Sequence, residues 1–126
     1  MKITSHRDLL VWQRAMDLVV EVYRLSRGFP ADERFRLTSQ ITRAAASVPA
    51  NIAEGHARST AKEYAHFLAI AKGSLMEVET FLMIGIRLGY VSESQASPAL
   101  AMVTQTSKML TRLRARLQEA TPRALR

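Results

Sequence analysis

Glu63-Tyr64-Ala65-His66 sets a carboxylate and an imidazole three residues apart, a spacing that brings both to one side of a helix. Carboxylate-bridged di-iron bundles use that Glu-x-x-His pair twice and complete the site with two further inward glutamates. None of the other ten acidic residues is followed by histidine three positions on, and Glu63 and His66 lie off the apolar side of their segment. The pair therefore reads as solvated, and no metal or other cofactor is expected. There is no Gly-x-Ser-x-Gly elbow, no phosphate-cradling glycine loop and no His-Glu-x-x-His, so no catalytic residue is assigned and the protein is read as a non-enzyme.

A second constellation is polar. Gln40, Arg43, Asn51 and Glu54 fall in one sector of a segment whose other sides are apolar or small. If buried, they need mutual hydrogen bonds and an ion pair, Arg43–Glu54 or one with a second copy, and could set the register of an assembly. If exposed, they make an ordinary wet face.

The third is charge. Of the formal +7, residues 1–107 carry only +2, from 12 basic and 10 acidic side chains. Residues 108–126 carry Lys108, Arg112, Arg114, Arg116, Arg123 and Arg126 against Glu119 alone. A positive field gathered at one end suits a phosphate polymer, RNA or DNA, and these six residues are the candidate contacts; a basic tail kept for solubility is the plain alternative. No aromatic residue is interleaved with them, so base stacking is not expected there.

Four helical segments must position these groups. At 126 residues, with 48% hydrophobic and 23% charged side chains, the composition is that of one folded domain, taken as residues 1–126. The absence of cysteine excludes disulfides and thiolate chemistry. The first helix is expected from about Asp8 to Arg27, with Leu9, Trp12, Ala15, Met16, Val19 and Tyr23 inward, ended by Gly28-Phe29-Pro30. The second runs from about Ala31 to Glu54 around Leu37, Ile41, Ala44, Ala45, Val48 and Ile52; Pro49 should kink it and Gly55 should break it. Thr60-x-x-Glu63 reads as a capping box opening the third helix, which reaches Leu88 on Tyr64, Phe67, Leu68, Ala71, Leu75, Val78, Leu82 and Ile86. The fourth begins near Ser92 or at Ser97-Pro98 and runs to about Glu119 with Val103, Leu110, Leu113 and Leu117 inward, followed by a basic tail over 120–126. Short connections make neighbours antiparallel, so an all-α up-down-up-down four-helix bundle is predicted.

More apolar surface is present than one such core needs. Ile70, Phe81 and Ile84 line the third helix beside Glu63 and Glu77, away from its core stripe, and Val11, Leu18, Val22 and Leu25 widen the first. Self-association is the expectation, with Ile70, Glu77, Phe81 and Ile84 at the subunit contact; a wide core face in a monomer is the alternative. The most apolar run, Phe81 to Leu88, is too short to span a membrane, which takes about 20 residues. With no secretory leader visible at the N-terminus, a cytoplasmic location is expected.

Three stretches carry a pattern: Leu10-Val11-Trp12-Gln13-x-Ala15; Leu37-Thr38-Ser39-Gln40-Ile41-x-Arg43-Ala44-Ala45-x-Ser47-Val48-Pro49-x-Asn51-Ile52-Ala53-Glu54-Gly55; and Phe67-Leu68-x-Ile70-Ala71-x-Gly73-Ser74-x-x-Glu77. Together they resemble the four-helix-bundle family of proteins encoded in intervening sequences of bacterial 23S ribosomal RNA genes, over about Asp8 to Tyr90. Arg36 departs from the family's common glycine, and Phe81 from its common glutamine. The resemblance implies a bacterial, cytoplasmic homopentamer. It also implies kinship with the accessory variability determinant of diversity-generating retroelements, a basic pentamer that binds nucleic acid and the reverse transcriptase. The functional expectation is an oligomeric nucleic-acid-binding or ribonucleoprotein-scaffolding protein with little sequence specificity. A structural module whose partner is a protein, such as a reverse transcriptase, is the alternative.

Overall fold

Leu37, Ile41, Ala44, Ala45, Val48 and Ile52 recur at helical spacing, and every one is buried. They form the inner face of one of four helices in the structure, a computed structural model that describes residues 2–120. These are α1 (Leu10–Ser26), α2 (Leu37–His56), α3 (Ala61–Arg87) and α4 (Glu93–Ala120), with single 3-10 turns at His6–Asp8 and Ala31–Glu33. No strand occurs among the described residues. Helix α2 packs on α1 and α3, and α4 closes the square by packing on α3 and α1. Ser47 meets Ser74 and Gly55 meets Phe67 across the α2–α3 seam, while Lys72 meets Thr111 and Ala65 meets Arg114 across α3–α4. Both seams are thus antiparallel. Leu18, Ile41, Ile52, Leu68, Leu75, Leu82 and Leu110 are fully enclosed, each worth roughly 1.5–3 kcal/mol of transfer free energy.

Three expectations are corrected. Helix α2 begins at Leu37 rather than near Ala31, because Phe29 and Leu37 are both buried and the intervening chain turns to seat them, leaving helical geometry at Arg36 (φ −122°, ψ −110°). Gly55 does not break α2, which continues to His56; the glycine lies inside the helix where α3 comes closest. In α1 the inward residues are Val11, Ala15, Leu18, Val22 and Leu25, while Met16 and Tyr23 are exposed. The apolar arc of α1 is wider than one stripe, and packing between α2 and α4 turns it until the leucine and valine line faces in. Surplus surface on α1 accordingly comes from Leu10, Met16, Val20 and Tyr23.

Thr4 and Ser5 are clasped to the 3-10 turn that leads into α1. Asp8 Oδ2 accepts from Thr4 N and Thr4 Oγ1, each at 2.9 Å, and from Ser5 N at 3.1 Å. These bonds, the Thr4 amide first, hold the Asp8 carboxyl below the ordinary aspartate range. Thr60 caps α3 as its spacing suggests, its Oγ1 accepting from Glu63 N at 3.1 Å.

Candidate nucleic-acid interface

On α4, inward Val103, Thr106 and Leu110 fix which side faces out, and Lys108, Arg112 and Arg116 fall on that outer side, all exposed. Lys72 of α3, which nothing in the sequence tied to the basic end, joins them: its Nζ donates to Thr111 Oγ1 at 2.9 Å, and Thr111 in turn donates to Ser107 O at 3.0 Å. Lys72, Ser107, Lys108, Thr111 and Arg112 line one open hollow. Arg112 also borders a neighbouring groove between α1 and α4, with Arg116. Ion pairs join Arg14 to Asp17, Arg24 to Glu21 and Arg58 to Glu54, and none of these three takes up a cation of the row. Arg114 points elsewhere: it is half-buried, and its Nε donates to Ala65 O at 3.3 Å across the α3 seam. Arg123 and Arg126, with the rest of the basic tail beyond Ala120, lie outside the described residues.

The polar constellation divides. Asn51 is half-buried, and its Nδ2 donates to Ser47 O at 2.8 Å and Ser47 Oγ at 2.9 Å; Ser74 Oγ lies 3.0 Å from the same hydroxyl. This chain crosses the α2–α3 seam, and periodicity had not singled out Ser74. The Arg43–Glu54 pair does not form. Eleven residues span about 16 Å of helix axis, and Glu54 pairs instead with Arg58, one turn on. Gln40 and Arg43 are exposed and line an open α2–α3 groove of about 560 Å³ with Phe35, Ser47, Ser74, Glu77 and Phe81. Phe35 is 85% exposed, and Ile70 and Ile84 on α3 are each 39% exposed. The structure therefore brings Gln40 and Arg43 to the same groove as Glu77 and Phe81.

Glu63 and His66 are exposed, with His66 edge-on to the Phe67 ring at 5.6 Å. No cluster of three or more potential metal ligands occurs among the described residues. Ser59 and Lys62 have the Ser-x-x-Lys spacing of some serine nucleophiles, but both are exposed around the α2–α3 connection, which offers an acyl intermediate no enclosure. Among the described residues no helix is long and apolar enough to cross a membrane.

The profile of the 23S rRNA-intervening sequence protein family matches residues 7–112, most of the chain and all of the Asn51-Ile52-Ala53-Glu54-Gly55 block. The chain belongs to this family. Its match covers Lys72, Lys108 and Arg112 and stops before Arg114 and Arg116. Among solved structures, a protein of unknown function from the S23 ribosomal protein family of Bacteroides thetaiotaomicron VPI-5482 superposes with a TM-score of 0.75 at 23% identity. The alignment covers 83% of this chain and 98% of that one, and establishes the shared bundle fold. No curated protein matches the sequence.

Proposed function

We propose that this member of the 23S rRNA-intervening sequence protein family is a non-enzymatic nucleic-acid-binding protein that works as an oligomer in the cytoplasm. It acts as a ribonucleoprotein scaffold whose contacts go mainly to phosphate. The observation that carries the reading is the exposed row Lys108, Arg112 and Arg116, extended by Lys72 and outside the ion pairs Arg14–Asp17, Arg24–Glu21 and Arg58–Glu54 seen among the described residues. Residues four apart stand about 6 Å apart along a helix, so the row offers a ladder of charge to one strand's backbone. Three or four phosphate contacts per copy give a slope of log affinity against log salt of about −2 to −3 per copy on a single strand, and slightly steeper on duplex DNA. Contacts of the row go chiefly to phosphate, which positions the strand but carries no sequence information, so sequence discrimination is weak.

Oligomerisation multiplies these contacts. Its support is the α2–α3 surface, where Phe35 and Phe81 share a groove with Arg43 and Glu77, and where Ile70 and Ile84, one on each side of Glu77 along α3, are exposed. A homopentamer is the assembly that the family resemblance implies. In a gel-shift titration, affinity should fall steeply as salt rises, and Lys108→Glu/Arg112→Glu/Arg116→Glu should abolish the shift. Tight binding indifferent to both refutes the reading. Sedimentation as a single copy at micromolar concentration refutes its oligomeric part.

Phe35 favours a second reading, an assembly module for a protein partner such as a reverse transcriptase, because so exposed an aromatic ring suits a protein contact. A partner retained from nuclease-treated lysate by the wild-type chain and lost with Phe35→Ser supports this second reading.

A further inference from the structure

Neither the core nor the phosphate row accounts for the groove between α1 and α4. Leu9, Leu10 and Val11 form one wall, Met109 and Leu113 the other, and Arg112 and Arg116 complete its lining; its volume is about 410 Å³. Val11 is buried and closes the core at this level, yet Leu10 beside it is 54% exposed. Leu9, Met109 and Leu113 are half-buried, so an apolar floor remains open to solvent. All the charge in the lining is positive. Helix α1 starts here with no side-chain cap, and the Asp8 carboxylate just before it is taken up by Thr4 and Ser5.

We propose that this groove binds an acidic amphipathic helix of a partner protein. Its apolar side chains, spaced i, i+3 and i+4, would lie on Leu10, Met109 and Leu113, and its carboxylates would pair with Arg112 and Arg116. A nucleobase fits less well: the lining has no aromatic ring to stack on, and only the two guanidinium groups could address a base edge. Arg112 and Arg116 also belong to the phosphate row, so the partner helix and nucleic acid exclude one another, each weakening the other's binding by the same factor. This exclusion rests on the nucleic-acid reading above, whereas the docking itself does not.

The test uses fluorescence anisotropy on the full chain with a labelled synthetic helix, leucine on one face and glutamate on the other. A scrambled peptide of the same composition is the control. The ordered peptide should bind at least about ten-fold tighter than the scramble, and Leu10→Ser should weaken it by about ten-fold, as expected for losing one large apolar contact. Arg112→Glu/Arg116→Glu should abolish binding. A labelled single-stranded oligonucleotide should be unaffected by Leu10→Ser and displaced by unlabelled peptide. Equal binding of ordered and scrambled peptides overturns the proposal, as does peptide binding indifferent to Leu10→Ser. Parallel loss of oligonucleotide and peptide on Leu10→Ser overturns it too, since the groove would then take bases. Peptide binding by a chain that binds no oligonucleotide upholds the docking and removes only the nucleic-acid reading. Leu10 is a surface position, and an unchanged thermal melt of Leu10→Ser establishes that the fold survives.

Discussion

Replacing Gly55 with alanine sets helix propensity directly against interhelical packing. In an open helix the change gains about 1 kcal/mol, because glycine surrenders more backbone freedom than alanine. At Gly55 the added Cβ would sit 2.9 Å from Phe67 Cβ, 3.0 Å from Tyr64 Cδ1 and 3.2 Å from Tyr64 O. Two of those atoms, a Cβ and a carbonyl oxygen, cannot swing aside by changing rotamer, so α2 and α3 must separate along their seam. Overpacking a tight site costs about 1–3 kcal/mol, and immobile neighbours place this case toward the upper end. The net expectation for Gly55→Ala is a loss of about 1–2 kcal/mol, or roughly 4–8 °C in Tm for a domain of this size. Urea titration by circular dichroism, checked for an unchanged m-value, measures it. A midpoint equal to or above that of the wild type would mean that the approach of α3 is not what requires glycine there.

Gly73 lies in mid-α3 with nothing within 4 Å of its would-be Cβ, so the isolated bundle gives it no packing role. If the α3 face is a subunit contact, Gly73→Ala should weaken self-association in sedimentation while raising the stability of the single copy by about 0.5–1 kcal/mol; unchanged association would remove Gly73 from the contact. Thr106 Oγ1 and Tyr64 Oη are buried with no hydrogen-bond partner among the described residues. Thr106→Val should therefore be neutral or stabilising by up to about 1–3 kcal/mol in urea, and a clear loss would reveal an unseen partner. For Asp8, whose folded pKa is depressed, the stabilising clasp is complete above the ordinary aspartate value of 3.8 and is lost as pH falls through the lower folded value. An NMR titration of its carboxyl should have its midpoint below 3.8, and a midpoint at or above that value would contradict the hydrogen-bonding geometry.

Periodicity within one segment determined a good deal about this protein. The inner faces of α2 and α3 could be read residue by residue, since Leu37, Ile41, Val48 and Ile52, then Leu68, Leu75, Val78 and Leu82, are buried as their spacing demands. The cap at Thr60, the four-helix count and the outward row of Lys108, Arg112 and Arg116 on α4 are likewise local properties, and they survive folding. Surplus apolar surface on α3 was legible in part: Ile70 and Ile84 lie off the core stripe and remain exposed, whereas Phe81, expected beside them, is half-buried and packs against the core.

Tertiary structure decided whatever depends on a neighbour. The broad apolar arc of α1 could be turned either way, and contacts with α2 and α4 selected Leu18 and Val22 over Met16 and Tyr23. Gly55 looks like a terminator in a one-dimensional pattern, and only the nearness of Tyr64 and Phe67 makes it a packing residue. Lys72 joined the basic row, and Arg114 turned to Ala65, through partners 39 and 49 residues away. Helical spacing says which side chains of one segment share a face. It carries no information about which distant backbone lies opposite that face, and that geometry decides which cations stay free for a ligand and which glycines admit a second helix.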